Sequence, residues 1–254
     1  MKQNFFLMLA VMMLPLALFA GGVPDDNDHE EEPFDEAEVY VELNDTDGDL
    51  GIHASIDGGP YKKLEISTPD DHEILQLRAK SALRHQGVTQ LFFESAEPTF
   101  DELTPAEFFA RFPEGIYEVE GTGLEKEEYE SETFFSHVLA APPDNVLVSG
   151  VPLSDDCDES VPGVSPPIVI SWDPVMSSHP EIGKAGDVEI AAYQLVVERE
   201  EPELLVYSVD LPPDVTSMSV PSGFIALGDE FKYEIIVRTS THNNTAVESC
   251  FAVE

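Results

Sequence analysis

The fold is decided by an alternating stretch, AYQLVVER at residues 192–199. Apolar and polar side chains alternate there with the period of two that is typical of a strand with one buried face. Similar stretches lie at regular spacing on both sides of it, at 168–174, 204–211, 216–220, 231–240 and 246–253. Several short strands separated by turn residues predict a β-sandwich for residues 142–254.

The first half of the chain, residues 38–140, is also predicted to be β-rich. Strands are expected at 38–43, 51–56, 64–66, 74–79, 90–94, 115–120 and 133–139. The sequence Asp57-Gly58-Gly59-Pro60 has strong turn chemistry and predicts a hairpin between Ile56 and Tyr61. The predicted fold class is therefore mostly β, with two β-sandwich-like modules.

One short helix is predicted in the first module. Thr104 can cap it, Pro105 suits the first helical position, and Glu107 completes a capping box. The phenylalanines that follow give this helix an apolar face, which we expect to belong to the core; they are Phe108, Phe109 and Phe112. An exposed aromatic groove for sugar or peptide is the alternative.

The ends of the modules follow from composition. Residues 1–20 have the layout of a cleaved secretory signal peptide, with Lys2 before a short apolar run and small residues after it; an uncleaved anchor is the alternative. Residues 21–37 contain eight acids and no Lys or Arg, which predicts an acidic disordered segment. The paired prolines at 142–143 mark the boundary between the two modules. We expect a secreted or periplasmic protein without a membrane span in its mature form.

Charge limits the partners. With 12 Lys and Arg against 51 Asp and Glu, the formal net charge is −39. Nucleic acids and anionic lipid surfaces are bound through Lys and Arg, so both are excluded as partners. The excess of acids is spread over both halves, and a cationic or cation-bridged partner is expected. The general self-repulsion should be relieved by salt or divalent cations.

An aspartate-rich stretch, Asn44-Asp45-Thr46-Asp47-Gly48-Asp49, is the one chemically pointed motif of the first module. Calcium takes six to eight oxygen ligands, and clustered carboxylates on a loop with glycine can supply several. The spacing does not match an EF-hand, because Leu43 stands at the position of the first ligand. Asp45, Asp47 and Asp49 are therefore calcium candidates, and a plain Asp/Gly turn between two strands is the alternative.

Residues 142–254 resemble a fibronectin type III domain. The resemblance rests on Trp172 in a strand, on the strand 193–197, and on Leu227 standing six residues before Tyr233, as in a tyrosine corner. The usual Pro-Gly before that tyrosine is not kept. The family implies a binding module or spacer without catalytic residues, with Trp172 and Tyr233 buried as fold markers.

The whole chain also resembles secreted bacterial proteins of uncharacterised function that contain such a domain. In the first module this likeness spans about a hundred residues and rests on Leu43–Gly51, Leu91–Pro98 and Phe108–Gly115. It implies no activity.

The two cysteines, Cys157 and Cys250, fall in the first loop and near the end of the last strand of the second module. In a seven-strand count these positions lie at the same end, so a disulfide is expected in an exported chain. Closing a loop of about 94 residues would contribute roughly 4–5 kcal/mol. Two free thiols or pairing between molecules are the alternatives.

Catalytic signatures are missing from the sequence. It contains no Gly-x-Ser-x-Gly elbow, phosphate loop, HExxH helix or dinucleotide fingerprint, and no two histidines stand at metal-ligand spacing. We therefore expect a non-catalytic binding or adhesion-type protein with an unidentified protein or glycan partner and no cofactor beyond the calcium left open above. An enzyme with an unrecognised site in the first module and a calcium-dependent structural protein are the alternatives.

Overall fold

The computed structural model describes residues 31–154, 156–157 and 160–254, so the predicted signal peptide at 1–20 lies outside the described residues. The described chain is mostly β, as predicted, and none of its helices is long and apolar enough to cross a membrane. Its strands are β1 Glu36–Asn44, β2 Asp49–Ser67, β3 Glu73–Arg78, β4 Val88–Glu94, β5 Gly115–Gly123, β6 Glu128–Phe135, β7 Leu147–Val148, β8 Val151–Pro152, β9 Gly163–Val164, β10 Val169–Ser171, β11 Ile190–Arg199, β12 Leu205–Leu211, β13 Ser217–Ser219, β14 Glu230–Thr239 and β15 Asn244–Val253.

The second half is a β-sandwich. One sheet has the order β12-β11-β14-β15, and the other has the order β13-β10-β7-β8. The inward positions of these strands form one apolar core that includes Trp172, Tyr193 and Tyr233. The predicted alternation is confirmed on β11, where Tyr193, Leu195 and Val197 are buried and their neighbours are not.

The first half is built around β2, a strand of 19 residues. Its first part pairs with β1 and β4, and its last part pairs with β3 and β5, which in turn pairs with β6. Glu32 forms an isolated β-bridge with Tyr129, so the segment just before β1 pairs with β6, the last strand of this group. A second core fills the space inside them.

The predicted hairpin at Asp57-Gly58-Gly59-Pro60 is wrong, because β2 runs straight through these residues. The two glycines provide room for side chains from elsewhere. A Cβ on Gly59 would lie 2.3 Å from the Tyr129 hydroxyl, and one on Gly58 would lie 3.0 Å from the Phe34 ring. The pairing register of β2 with β4 also shifts between Asp57 and Tyr61, where glycine and proline suit a strand irregularity.

The predicted helix is confirmed as α2, Pro105–Arg111, with both hydrogen bonds of its capping box present. Two further short helices were not predicted, α1 at Ser81–Gln86 and α3 at Ser222–Ile225. Neither has a side-chain cap, and α1 buries none of its residues, so both lack the local signals that marked α2. The last strand of the first half, β6, begins at Glu128 rather than at the predicted Thr133.

The described end of the predicted acidic disordered segment, residues 31–37, is packed. Phe34 is buried in the first core, where its ring contacts Tyr61 and Tyr129. The Phe34 amide also donates to Ser131 Oγ at 3.0 Å. Phe34 thus anchors this end of the segment to the first core, although Glu31, Glu32, Pro33 and Asp35 are exposed. The rest of the segment predicted to be disordered, residues 21–30, lies outside the described residues.

The two halves share one sheet, since β1 of the first pairs in parallel with β15 of the second. Asn243, which is fully buried between β14 and β15, stabilises this seam with three hydrogen bonds. Its Nδ2 donates to the Ser136 and Val138 carbonyls, and its Oδ1 accepts from the Val41 amide at 2.9 Å. Because both cores lie on one face of this sheet, the other face carries polar side chains of both halves.

Candidate functional site

The aspartate-rich stretch forms the tight turn between β1 and β2. Asn44 Oδ1 accepts the backbone N–H groups of Thr46 and Asp47, and Gly48 has a positive φ of 68° that glycine tolerates. These hydrogen bonds and the glycine conformation stabilise the turn locally.

The three calcium candidates lie in different surroundings. Asp45 Oδ1 accepts from His179 Nε2 at 2.9 Å, and Asp47 is exposed. Asp49 has an oxygen, Oδ1, that is buried without a hydrogen-bond partner in the described structure. Burial and the nearby Glu97 raise the pKa of Asp49 to about 6. Calcium binding by these residues stays a prediction.

The strongest metal-ligand arrangement lies beside this turn and consists of Glu42, His53 and Glu97, which we call the His53 cluster. One ligand atom from each residue lies within 4.8 Å of the others. His53 Nε2 is 3.0 Å from Glu97 Oε1, and His53 Nδ1 is 3.9 Å from Glu42 Oε2. The histidine is only 2% exposed. In the described part of the chain, this is the one group of three such side chains that come together.

Neighbouring elements orient the two carboxylates. Asn244 Nδ2 on β15 donates to Glu42 Oε2 at 2.8 Å. The segment after β4 is tied to β2 because Ser95 Oγ accepts the Ile52 amide at 3.0 Å, which brings Glu97 over the sheet. A Cβ at Gly51 would lie 2.2 Å from Glu97 Oε1, so the absence of a side chain at this position makes room for that carboxylate.

Burial dominates the electrostatics of Glu97. It raises the pKa of this carboxyl group, although the hydrogen bond from His53 acts in the opposite direction. A group that is taken out of water in this way gains from a nearby positive charge. The His53 cluster could therefore hold a metal ion between its two carboxylates and the ring.

Sequence reasoning missed the His53 cluster because its members stand 11 and 44 residues apart on different elements. The pairing of β1 with β2 places Glu42 opposite Gly51, diagonal to His53. The strands predicted on both sides of the Asp-rich turn are therefore the sequence signal that places Glu42 near His53. No local pattern indicates that Glu97 folds onto them.

A second feature is a set of carboxylates on the outer side of β2, β5 and β6, which we call the acidic face. Its members are Glu65, Glu118, Glu120, Glu128, Glu130 and Glu132. Glu120 pairs directly with Glu65 on one side and with Glu130 on the other, and Glu118 pairs with Glu132. Like charges directly opposite each other on neighbouring strands destabilise a sheet.

One lysine partly neutralises this face. Lys63 forms an ion pair with Glu65. At the other end, the carboxylate of Glu31 raises the pKa of Glu130. Next to the acids, Ile116 and Phe134 form an exposed cross-strand pair, at 43% and 48% exposure.

The fold markers and cysteines of the second half lie as follows. Trp172 and Tyr233 are buried, whereas the side chain of Leu227 is half-exposed and its carbonyl accepts from Arg199. Cys157 and Cys250 form a disulfide with a Cα–Cα distance of 5.9 Å, which confirms the predicted pairing. At the edge of the large sheet, two apolar side chains are exposed, Val206 on β12 and Leu204 just before it.

No protein-family model matches the chain, and no curated protein matches it. Among solved structures, the chain is similar to one from a study of host cell surface retention of a 1.5-MDa bacterial ice-binding adhesin, with 12% identity and a TM-score of 0.24. That match covers 88% of this chain and 66% of the other, slightly less than two thirds. A chain of a cytokine receptor complex matches at 12% identity and a TM-score of 0.28, over 85% of this chain and 96% of the other.

Proposed function

We propose that this chain is an exported, non-catalytic binding protein of adhesion type that recognises a positively charged protein or glycan outside the cytoplasm. The observation that carries the proposal is the acidic face, where carboxylates stand directly opposite one another on three neighbouring strands. Such rows cost stability in the free protein. A cationic partner would relieve this repulsion and would be steered toward the face by its charge.

Two other features support the proposal. The disulfide between Cys157 and Cys250 fits an oxidising compartment, as expected after export by the predicted signal peptide. The second half has the two-sheet sandwich and the buried Trp172 expected of a fibronectin type III domain, and we propose that it is one. Such a domain would serve as a binding module or spacer beside the acidic face.

Binding of a defined basic probe tests the proposal. We expect a fluorescent oligolysine peptide to bind the mature protein at low salt and to bind more weakly as salt is added. The triple variant Glu118→Gln, Glu120→Gln, Glu130→Gln should weaken binding by about 1–3 kcal/mol, which is a factor of roughly 5 to 150, because three partner charges are lost.

The matched control removes three exposed acids of the second half, as Asp187→Asn, Asp214→Asn, Glu230→Gln. Both variants change the net charge equally, so only a local site distinguishes them. Equal affinity of the two variants for the peptide would contradict the proposal, because it would mean that general charge alone attracts the probe.

An enzyme is the second candidate. The raised pKa values of Asp49 and Glu97 favour it, since perturbed carboxyl groups are frequent in catalytic sites. The same shifts arise wherever buried carboxylates crowd together, and no substrate chemistry follows from them here. We therefore favour binding over catalysis.

A further inference from the structure

We propose that Glu42, His53 and Glu97 form a binding site for a divalent transition-metal ion, with zinc as the ion that fits best. This site is separate from the acidic face and does not depend on the function proposed above. It ties together β1, β2 and the segment after β4, next to the seam where β1 meets β15.

The ligand set favours zinc over calcium. Calcium requires six to eight oxygen ligands, whereas an imidazole nitrogen with two carboxylates suits a borderline ion such as zinc. Three protein ligands would leave a position for water, which is common at zinc sites that are not purely structural.

The distances are close to those that coordination requires. Zinc bonds nitrogen and carboxylate oxygen at about 2.0–2.2 Å, so two ligands of one ion lie at most ~4.3 Å apart. The His53–Glu97 contact of 3.0 Å already satisfies this limit. The 3.9 Å contact of Glu42 Oε2 is with the other ring nitrogen, Nδ1, which does not bind the same ion as Nε2. With one ligand atom taken from each residue, the three atoms lie within 4.8 Å of one another, so a small side-chain movement would bring all three within the limit.

The surroundings hold the ligands in place. Asn244 fixes Glu42, and the Ser95 contact with Ile52 fixes the segment that carries Glu97. Such outer contacts are typical of metal sites, where they orient the ligands. Asp49 adds a nearby carboxyl group whose buried Oδ1 has no hydrogen-bond partner in the described structure. His53 itself is almost fully buried, unlike the exposed His72 that pairs with Asp70 at the surface.

Calorimetric titration of the EDTA-treated mature protein with zinc chloride tests the site, with calcium chloride titrated in parallel. We expect one zinc ion per chain to bind, with an affinity at least about tenfold lower in Glu97→Gln. His53→Gln should abolish binding. Glu230→Gln is the matched control, because Glu230 is an exposed glutamate on β14 and does not belong to the His53 cluster. It should bind zinc as the unaltered protein does.

Several results would overturn the proposal. One is zinc binding that is equally strong in Glu97→Gln and in the unaltered protein. Another is a loss of zinc affinity in Glu230→Gln as large as that in Glu97→Gln, which would indicate only general negative charge. Calcium bound more tightly than zinc, with loss in Asp47→Asn, would place the ion on the Asp-rich turn instead. If His53→Gln does not fold, Glu97→Gln still decides, because Glu97 retains contact with solvent. None of these outcomes depends on whether oligolysine binds the acidic face.

Discussion

Replacing Glu234 with glutamine is expected to stabilise the protein at alkaline pH and to leave it nearly unchanged at acid pH. Glu234 lies on β14, directly opposite Glu248 on β15. Burial raises the pKa of Glu234 to about 8, and the charges of Glu42 and Glu248 add to the effect. The folded protein therefore holds a proton that the unfolded chain releases near pH 4.5.

The sign follows from this difference. Between about pH 4.5 and pH 8, unfolding releases a proton from Glu234, so the free energy of unfolding falls as the pH rises. Below this window both states are protonated, and above it both are charged. A pKa difference of about 3.5 corresponds to about 5 kcal/mol at most. Because the side chain keeps partial contact with solvent, we expect about 2–3 kcal/mol.

Urea unfolding of the unaltered protein and of Glu234→Gln at pH 5 and pH 9 measures this effect. The difference in stability between the two proteins should grow by about 2–3 kcal/mol from the lower to the higher pH. Glu230→Gln, an exposed position on the same strand, is the control and should show no such growth. A difference between the unaltered protein and Glu234→Gln that does not change with pH would refute the reasoning.

Three further changes test the fold. Reducing the disulfide between Cys157 and Cys250, which are 93 residues apart, should lower the free energy of unfolding by roughly 4–5 kcal/mol, as measured by urea titration with and without reductant. Phe34→Ala should cost about 3–5 kcal/mol because its ring is buried between two tyrosines, and an unchanged melting temperature would contradict the packing of residues 31–37. Gly59→Ala should cost about 1–3 kcal/mol by clashing with the Tyr129 hydroxyl, and Tyr129→Phe in the same chain should recover part of the lost melting temperature.

The strands of the second half could be predicted because their signal is local. Buried and less buried residues alternate along β11, and the first half of β14 alternates in the same way before the apolar run Ile235–Val237. Helix α2 was predictable for the same reason, since Thr104 and Glu107 form its cap within four residues. Where burial and capping are written into adjacent residues, the sequence alone is sufficient.

A hairpin turn was wrongly predicted within β2 because its two glycines make room for side chains that are distant in the sequence. Asp57-Gly58-Gly59-Pro60 has the composition of a turn, but Phe34 and Tyr129 occupy the space beside these glycines. Neither contact is visible in the local sequence, since one partner precedes β1 and the other lies on β6. Tertiary packing here overrides turn propensity.

The His53 cluster was missed for a related reason. Its histidine and one glutamate come together through the register of β1 and β2, but Glu97 joins them only because Ser95 binds β2 and Gly51 has no side chain. None of these three features produces a recognisable spacing of ligand residues in the sequence. The aspartates of the adjacent turn are visible in the sequence because they stand at alternate positions of one short segment.

The two candidate sites differ in the cation that they would select, and this difference separates them in a single set of titrations. The acidic face consists of carboxylates that repel one another across strands, so ordinary salt should screen it and any polycation should compete for it. The His53 cluster offers a nitrogen ligand in a buried position, which sodium does not use and zinc does. Sodium chloride should therefore weaken oligolysine binding at concentrations that leave zinc binding largely intact. If both responses instead follow ionic strength together, general acidity explains the behaviour of the protein and neither site is specific.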